Sequence, residues 1–384
     1  MHILHINPDY PYQGVFLRFL KYLEQTSGDF HTMYVPLPQG RPFTHIYDCS
    51  TNHVEVVYSY DFNKFDRLLY VRRCSKIAKA LGRPMRFGSP DIIHCHYLFN
   101  SGYVAYKIKQ KTGTKYIVTA RNSDVNDYFK LSRYIPQLQK IGLKVMLDAE
   151  YIIFPSPAYR KKVAEEHVPK SWRDKIANKA FVIPNGISDF WIKNKPSGSN
   201  KRRDSEIRAL FVGEWTKNKN IETVVKVIIF LRSKGYNASI LIVGDGPNRE
   251  MVLKLAARHP DFVFTHGWVK DPNELLRIYR SCDIFIMPSF TETFGLVYVE
   301  AMSQGLPVIY SRGEGIDGYF DDGVIGYGCD PRRPDHIAQA VERIMNDYQN
   351  ISKNSIEAAQ RFNWADITKE YNRIYNSISQ NQDR

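Results

Sequence analysis

The sequence contains little cysteine and no long apolar segment. Its 384 residues include five cysteines, none of them in a Cys-x-x-Cys pair, so we expect reduced, mostly buried thiols and neither a disulfide framework nor a zinc site. There is no run of 18 apolar residues, and the start of the chain lacks the basic residues and long apolar stretch of a signal peptide. We therefore expect a cytoplasmic protein without a transmembrane helix.

Motifs for nucleic acid and for metal are also missing. The sequence has no zinc finger, aromatic RNA-binding motif or basic repeat, which argues against nucleic acid as a partner despite a net charge of +13. It contains no Asp-x-Asp pair, the usual bridge from a divalent cation to phosphates. We therefore expect no metal and no bound cofactor.

The positive charge is concentrated in the first half of the chain. Residues 1–190 carry 27 Lys and Arg against 16 Asp and Glu, whereas residues 191–384 carry 26 against 24. The densest stretch, 64–86, alternates cations with apolar residues at roughly helical spacing, and a second basic stretch lies at 130–144. A basic amphipathic helix suits a surface of anionic lipid. An ordinary solvated helix face has the same pattern, so both interpretations stay open.

Runs with strand-like composition alternate with helical ones. In the first half the strand-like runs lie at 2–6, 33–37, 54–58, 91–96, 115–120, 151–155 and 181–184. This alternation predicts doubly wound parallel sheets of the α/β class. The chain is longer than one hydrophobic core usually supports, so we expect two domains. A turn at 183–187 ends the first, the polar segment 193–203 is typical of a linker, and the second sheet begins at Ile207.

The most informative segment is a strand, a glycine turn and a helix between residues 283 and 305. The apolar run 283–288 is closed by proline and predicts a buried strand, and 296–304 predicts a helix that Gly305 ends. In open α/β sheets ligands bind at the carboxyl ends of strands, where free N–H groups at a helix start face an anion. The N–H groups expected to do so belong to Phe294, Gly295, Leu296 and Val297.

Two glutamates, Glu292 and Glu300, flank this turn. Their carboxylates accept hydrogen bonds only, and sugars and ribose present hydroxyls that donate them. As an isolated pair, the two would equally suit solvated charges near a helix start, where acidic residues are favoured.

This segment resembles the retaining glycosyltransferases of family 4, also called glycosyl transferases group 1. The family frame is Pro-Ser…Glu-x-Phe-Gly…Glu-Ala-Met…Gly-x-Pro-Val, and the matching residues are Pro288, Ser289, Glu292, Phe294, Gly295, Glu300, Ala301, Met302, Gly305, Pro307 and Val308. The resemblance is strong over about residues 205 to 345 and looser over the first half.

The resemblance implies the GT-B fold, in which two Rossmann-like, doubly wound parallel-sheet domains face a central cleft. Residues 1–187 would form the acceptor-binding domain, with a C-terminal helix 364–384 packing back on it. Residues 188–363 would form the domain that binds the nucleotide-sugar donor.

The resemblance also implies roles for single residues. Lys219 matches the lysine that neutralises the donor diphosphate, Glu292 the glutamate beside the donor sugar, and Glu300 the glutamate that accepts from the ribose. Gly14 resembles the glycine of a loop that approaches the donor, although an ordinary turn glycine is an equal alternative. The segment whose backbone meets the base is matched by Gly267, Trp268 and Val269.

Two departures from the family pattern stand out. Glu214 occupies the position of an arginine that binds the diphosphate, which leaves Lys217 as a candidate replacement. The family's His-Gly-x-Asp is replaced by Arg121-Asn-Ser-Asp124. Arg121 stays protonated and cannot act as a base, so we expect it to hold the diphosphate.

The acceptor-side roles of the missing histidine would then pass to Asp124, His94 or His96. A lone histidine at a strand end is, however, more often part of the core. The two departures alternatively weaken catalysis altogether.

The resemblance implies that the protein is a retaining hexosyltransferase. It would move a sugar from a nucleotide diphosphate sugar to a lipid-linked or polysaccharide acceptor in cell-surface glycan biosynthesis. Its basic N-terminal domain would bind the anionic inner face of the cell membrane as a peripheral protein.

Two alternatives share the fold: a catalytically weak or silent sugar-nucleotide-binding protein, and a nucleotide-sugar epimerase. The glycines of 313–318 fit dinucleotide-loop spacing, but no long helix follows them, which argues against a dehydrogenase.

Overall fold

A computed structural model describes the protein in two compact units. The described residues are 1–10, 14–40, 49–63, 65–67, 69–132, 134–198 and 206–380. The N-terminal unit comprises Met1–Pro155, Arg160–Gly186 and Trp364–Arg384. The C-terminal unit comprises Ser156–Tyr159 and Ile187–Asn363.

The N-terminal unit is built on a seven-stranded, wholly parallel sheet. Its strands are β1 (His2–Ile6), β2 (Phe30–Pro38), β3 (Val54–Phe62), β4 (Ile92–Cys95), β5 (Lys115–Thr119), β6 (Tyr151–Phe154) and β7 (Ala180–Val182). The strand order is β3-β2-β1-β4-β5-β6-β7. Strand β1 pairs with both β2 and β4, so the order reverses between β1 and β4. This is the doubly wound arrangement that the alternating runs predicted.

Helices connect these strands. They are α1 (Gly14–Thr26), α2 (Tyr70–Ala80), α3 (Gly102–Thr112), α4 (Lys130–Ser132), α5 (Pro136–Asp148), α6 (Pro157–Glu166) and α7 (Lys170–Ala177). A π-helical segment, Asp124–Phe129, precedes α4.

The predicted basic helix at 64–86 is shorter than expected. Helix α2 covers Tyr70–Ala80 and buries Cys74 and Ile77, and a short 3-10 turn lies before it. It ends before Gly82 and Pro84, because glycine is a poor helix former and proline disfavours helical geometry in the residue before it. Lys64 and Leu68 lie outside the described residues.

The C-terminal unit contains a six-stranded parallel sheet. Its strands are β8 (Ile207–Val212), β9 (Ala238–Val243), β10 (Val263–His266), β11 (Ile284–Ile286), β12 (Val308–Ser311) and β13 (Gly326–Cys329), in the order β10-β9-β8-β11-β12-β13. Its helices are α8 (Asp189–Lys193), α9 (Ile221–Ser233), α10 (Arg249–Arg258), α11 (Pro272–Ser281), α12 (Leu296–Ser303), α13 (Pro334–Asn346) and α14 (Tyr348–Ala359). The predicted strand, turn and helix between 283 and 305 are confirmed as β11 and α12, with Gly305 at φ 79° after the helix.

The last helix, α15 (Trp364–Gln380), belongs to the N-terminal unit and contacts α1. Its buried side chains include Trp364, Tyr371 and Tyr375, which share a core with Phe19. Residues 381–384 of the predicted helix lie outside the described part of the chain.

No helix in the described part of the chain is both long enough and apolar enough to cross a membrane.

Candidate functional site

The candidate site lies where the strand order of the C-terminal sheet reverses. Strands β8 and β11 are neighbours there, and each is followed by a loop at its carboxyl end. The loop after β8 carries Lys219 and the loop after β11 carries Glu292. Such a reversal opens a crevice between loops, which is the usual ligand site of this sheet type.

Asn218 ties the two loops together. Its side-chain oxygen accepts from the Thr291 backbone N–H at 3.0 Å and from the Thr291 hydroxyl at 2.8 Å. Its side-chain nitrogen donates to the Thr291 backbone carbonyl at 2.8 Å, and the Asn218 backbone carbonyl accepts from Phe290 N–H at 2.8 Å. Sequence reasoning missed this residue, although it lies between the two candidate lysines, Lys217 and Lys219.

Lys219 and Glu292 form an ion pair across the two loops. The Lys219 Nζ and the Glu292 Oε2 are 2.5 Å apart, and the side chains are 21% and 15% exposed. The second carboxylate oxygen of Glu292 accepts from Thr293 N–H at 3.1 Å. Partial burial strengthens the pair relative to an exposed one. The predicted phosphate-binding and sugar-binding side chains are therefore brought into direct contact.

Glu314 holds the backbone of the Glu292 loop. Its carboxylate accepts from Glu292 N–H at 2.9 Å, and the Glu292 carbonyl accepts from Gly315 N–H at 2.7 Å. Gly315 has φ 59°, a left-handed conformation that favours glycine. The glycine-rich segment 313–318 thus supports the candidate site. Sequence reasoning weighed that segment only as a dinucleotide loop.

Gly295 sets the start of helix α12. It has φ 80°, and a Cβ there would lie 2.4 Å from the Tyr298 ring. The Tyr298 hydroxyl donates to the Met287 carbonyl at 2.6 Å, which fixes the helix to the chain after β11. Leu296 and Val297 begin the helix half-buried. The N–H groups of a first helical turn have no partner within the helix and favour anions.

The Phe294 side chain belongs to the core. It is 2% exposed and contacts Tyr319 and Phe362. Any donor contact by this residue must therefore come from its backbone.

Glu300 lies one turn into α12. One of its carboxylate oxygens accepts from the hydroxyl of Tyr279 at 3.3 Å, and Tyr279 is fully buried. The tyrosine fixes one side of the carboxylate and orients it.

The remaining donor-side candidates lie near the surface. Gly267 and Trp268 follow β10 and are exposed, Trp268 by 62%, and Val269 is half-buried. Lys217 is also exposed, as is Glu214. A large exposed aromatic ring such as Trp268 is available for stacking on a ligand.

In the N-terminal unit, Arg121 is held from three sides. Its Nε donates to the His96 carbonyl at 3.2 Å, a terminal nitrogen donates to Asn185 Oδ1 at 3.4 Å, and the guanidinium lies 4.7 Å from the centre of the Phe16 ring. It follows β5, at the carboxyl edge of the sheet.

Asp124 is fully buried and shapes the loop that carries Arg121. Its carboxylate accepts from the N–H groups of Leu98 at 3.0 Å, Phe99 at 3.0 Å and Arg121 at 2.8 Å. Burial raises the pKa of Asp124 to about 6, although the three amide donors favour the ionised form. Both carboxylate oxygens accept from backbone N–H groups, an arrangement that holds the loop carrying Arg121. The catalytic role expected from the sequence stays a prediction.

The acceptor-side candidates His94 and His96 lie in the core, 0% and 1% exposed. His94 bonds the Tyr375 hydroxyl at 2.7 Å and Thr119 Oγ1 at 2.9 Å. His96 Nε2 is 3.2 Å from His5 Nδ1. Desolvation holds the pKa of each of these three histidines well below its usual value. His94 lies on β4 and His96 lies just beyond the end of that strand at Cys95, and burial keeps both side chains away from the surface. The acceptor-side roles expected for them stay a prediction.

The same histidines form a cluster that sequence reasoning missed. His5, His94 and His96 each place a ring nitrogen within 4.8 Å of the others, which makes them the one such group in the described chain that could hold a metal. The signal was one histidine on β1, one on β4 and a third just after β4, two positions further along the chain. Several of these ring nitrogens already take part in hydrogen bonds, including one between His5 Nε2 and His31 Nδ1 at 3.1 Å. The expectation of no metal stays a prediction.

Gly14 is the exposed first residue of α1. A Cβ there would meet nothing within 4 Å, so the local geometry does not require glycine. The preceding residues 11–13 lie outside the described part of the chain.

Two family models match the chain. The model described as Glycosyl transferases group 1 matches residues 193–362, and that described as Glycosyltransferase Family 4 matches residues 15–189. An uncharacterised glycosyltransferase of Methanocaldococcus jannaschii is 27% identical over 305 residues, covering 74% of this chain and 75% of the relative. The alpha-monoglucosyldiacylglycerol synthase of Acholeplasma laidlawii is 27% identical over 264 residues, 64% of each chain.

Solved structures share the fold. The Anabaena protein HepE, crystallised in complex with UDP, superimposes with a TM-score of 0.72 at 17% sequence identity. The match covers 98% of this chain and 100% of that one. Each unit therefore has the Rossmann-like form known from GT-B proteins.

Proposed function

The chain belongs to the family 4 glycosyltransferases of the GT-B fold, and from this premise we propose that it transfers a sugar from a nucleotide diphosphate sugar to a lipid acceptor. The observation that carries the donor assignment is the ion pair of Lys219 and Glu292 where β8 and β11 diverge. The crystal structure of HepE in complex with UDP supports a nucleotide donor.

The ion pair gives each partner a task once a donor binds. A diphosphate offers Lys219 a stronger counter-charge than one carboxylate does, because it carries more negative charge. Glu292 then has a carboxylate oxygen available for the hydroxyls of the sugar. When Lys219 binds the diphosphate it releases Glu292 to the sugar, so diphosphate binding and sugar recognition are coupled. The hydrogen bonds of Asn218 to Thr291 hold the two loops together during this exchange.

The chemistry follows from where charge develops. As the bond to the diphosphate breaks, negative charge grows on the leaving oxygens, and the Lys219 ammonium and the N–H groups at the start of α12 stabilise it. The acceptor hydroxyl attacks from the face that the diphosphate leaves, and a phosphate oxygen takes its proton. The sugar is thus transferred with retained configuration and without a protein base. A lysine and a helix start neutralise the leaving group, so this proposal needs no metal.

We assign the acceptor to lipids for two reasons. A relative, the Acholeplasma synthase, is named for transfer to a lipid. In addition, the N-terminal unit exposes large apolar side chains beside its basic stretches, among them Phe65, Tyr134 and Leu69, which are 79%, 83% and 51% exposed. Cations next to exposed apolar groups favour an anionic membrane surface. The protein would act there as a peripheral protein on the cytoplasmic side and contribute to cell-surface glycans.

Release of nucleoside diphosphate tests the proposal. A panel of sugar nucleotides is first screened for thermal stabilisation, since a bound donor raises stability by an amount set by its concentration over its dissociation constant. With the stabilising donor, we expect diphosphate release to rise strongly when lipid extract from the membrane is added. A silent binding protein would show stabilisation without release. An epimerase would convert the donor without acceptor, and either result would refute the transferase proposal.

A further inference from the structure

The N-terminal unit contains a large cavity that the donor chemistry does not use. It has a volume of about 860 Å³ and lies between the start of α2, the π-helical segment Asp124–Phe129 and helix α5. This volume falls within the range of roughly 300–1,000 Å³ that small-molecule sites occupy. The wall is mainly apolar and includes Leu69, Val71, Leu131, Ile135, Leu138 and Ile141.

The apolar wall reaches the surface. Leu138 and Ile141 are 6% and 8% exposed, whereas Val71, Leu131 and Ile135 are 44%, 45% and 42% exposed. The cavity thus continues into an open apolar mouth formed by side chains from two separate stretches of the chain. Contiguous apolar surface of this kind favours a ligand that covers it.

Two arginines lie on one side of this cavity. Arg73 donates to Asn100 Oδ1 at 3.0 Å and to the Tyr128 hydroxyl at 3.1 Å. Arg72 pairs with Asp66 at 3.0 Å and remains 61% exposed. A guanidinium has five N–H donors, so hydrogen bonds to side chains fix the Arg73 group and leave donors for an anion. The cavity therefore joins an apolar interior to a cationic edge.

The part of the wall that bonds Arg73 through Tyr128 has an unusual backbone. Residues 124–129 form a π-helical turn, a geometry that is rare and often found at functional sites. This turn places Asp127 and Tyr128 in the wall. Ser123, just before it, also lines the cavity, and its Oγ is buried without a hydrogen-bond partner among the described residues.

We propose that this cavity takes the hydrocarbon chain of the acceptor lipid, with the anionic head group of that lipid against Arg72 and Arg73. The inference rests on the proposed function, since it names the part of the acceptor that the N-terminal unit recognises. The charge of the two arginines selects an anionic amphiphile over a neutral one. The apolar lining favours a hydrocarbon chain.

Binding of single-chain alkyl phosphates to the full-length protein tests the inference. Octyl, decyl and dodecyl phosphate are titrated by calorimetry below their micelle concentrations, with inorganic phosphate and decanol as partial ligands. We expect saturable binding to one site that strengthens by about fourfold for each CH₂ until the cavity is filled. Binding that is independent of chain length, or phosphate binding as tightly as decyl phosphate, would overturn the inference.

Surface variants locate the binding. The double variant Val71→Gln with Leu131→Gln should weaken decyl phosphate at least tenfold, and Arg73→Gln should weaken decyl phosphate but not decanol. Tyr60→Gln is the matched control, because Tyr60 is 48% exposed in the same unit and does not line the cavity. Equal affinities in all of these variants would exclude the cavity as the site.

Donor measurements on the same variants separate this inference from the proposed function. The Val71 and Leu131 double variant should keep full thermal stabilisation by the donor. If the wild-type protein binds donor and transfers sugar but shows no chain-length dependence, the inference alone fails. If it binds alkyl phosphates but no donor stabilises it, the proposed function fails.

Discussion

Both units contain a parallel sheet whose strand order reverses once, but the residues at that point differ between the two. In the C-terminal unit, β8 and β11 diverge into loops that carry the half-buried pair Lys219 and Glu292. In the N-terminal unit, β1 and β4 are the equivalent strands, and their register pairs His5 with His94 in the buried core.

The position relative to the strand end explains the difference. Lys219 and Glu292 lie beyond the carboxyl ends of their strands, where parallel sheets present loops to a ligand. His5 and His94 lie within their strands, where Phe19 of α1 and Tyr371 and Tyr375 of α15 surround them. Whether a polar side chain can reach a ligand therefore depends on whether it lies within a strand or beyond its carboxyl end.

The largest effect is expected from breaking the Lys219–Glu292 pair. Lys219→Met removes the ammonium that stabilises the leaving diphosphate, and Glu292→Gln removes the carboxylate that accepts from the sugar hydroxyls. Each substitution should lower kcat by about 10² to 10³-fold. The measurement is diphosphate release at saturating donor. Lys226→Met is the control, because Lys226 lies on the exposed face of α9. A loss below threefold in one of the site variants would remove that residue from catalysis.

Acid should destabilise the N-terminal unit selectively. Burial lowers the pKa of His31 to about 4 and holds the pKa of His5, His94 and His96 well below 6.5. The unfolded chain therefore binds more protons than the folded one below about pH 6.5, and stability falls as pH decreases. Each buried histidine contributes about 1.4 kcal/mol per pH unit well below pH 6.5. Asp124 opposes this below about pH 6, because its raised pKa makes the folded state the better proton acceptor.

Hydrogen exchange resolved by unit measures this effect. Amide protection of the N-terminal unit should fall between pH 7 and pH 5. Protection of the C-terminal unit serves as the internal control, since none of its described residues is a buried histidine. Equal loss in both units would contradict the assignment of acid sensitivity to the histidine cluster.

A smaller effect is expected at Glu314, whose carboxylate accepts from the backbone N–H of Glu292. Glu314→Gln keeps an acceptor for Glu292 N–H but weakens the bond, so kcat should fall by roughly tenfold or less, given that a bond to a charged group is worth about 1.5–3 kcal/mol. The kcat of the Glu314→Ala variant should be lower than that of the Glu314→Gln variant in the same assay. If the two variants match the wild-type protein, the loop is held without this carboxylate.

The smallest effect is expected from metal removal. Dialysis against EDTA should leave the rate of transfer unchanged, because Lys219 and the start of α12 are proposed to neutralise the diphosphate. Restoration of lost activity by a divalent cation would show that a metal shares this role. Loss of stability without loss of activity would instead point to the cluster of His5, His94 and His96.

Much of the fold follows from local patterns. The strand β11, the glycine turn at Gly295 and the helix α12 were predictable because apolar runs, glycine and proline act over a few residues. The shortened helix α2 was a local signal too, since Gly82 and Pro84 stand where it stops.

Hydrogen bonds between residues that are far apart in the sequence were not predictable from local patterns. Asn218 bonds Thr291 and Glu314 bonds Glu292, although each pair is separated by many residues, and the cavity is assembled from stretches near 70, 125 and 138. Which loops meet depends on strand order, and one sequence does not encode strand order as a local pattern.

By itself, the sequence determined the alternation of strands and helices, the glycine turns and the residue types that suit a sugar nucleotide, because these depend on nearby residues. Only the tertiary structure decided which side chains reach a ligand. Lys219 and Glu292 meet because neighbouring parallel strands end side by side, and His94 is buried because two helices cover that face of its sheet. Accessibility is a property of packing between distant segments, and packing exists only once the chain has folded.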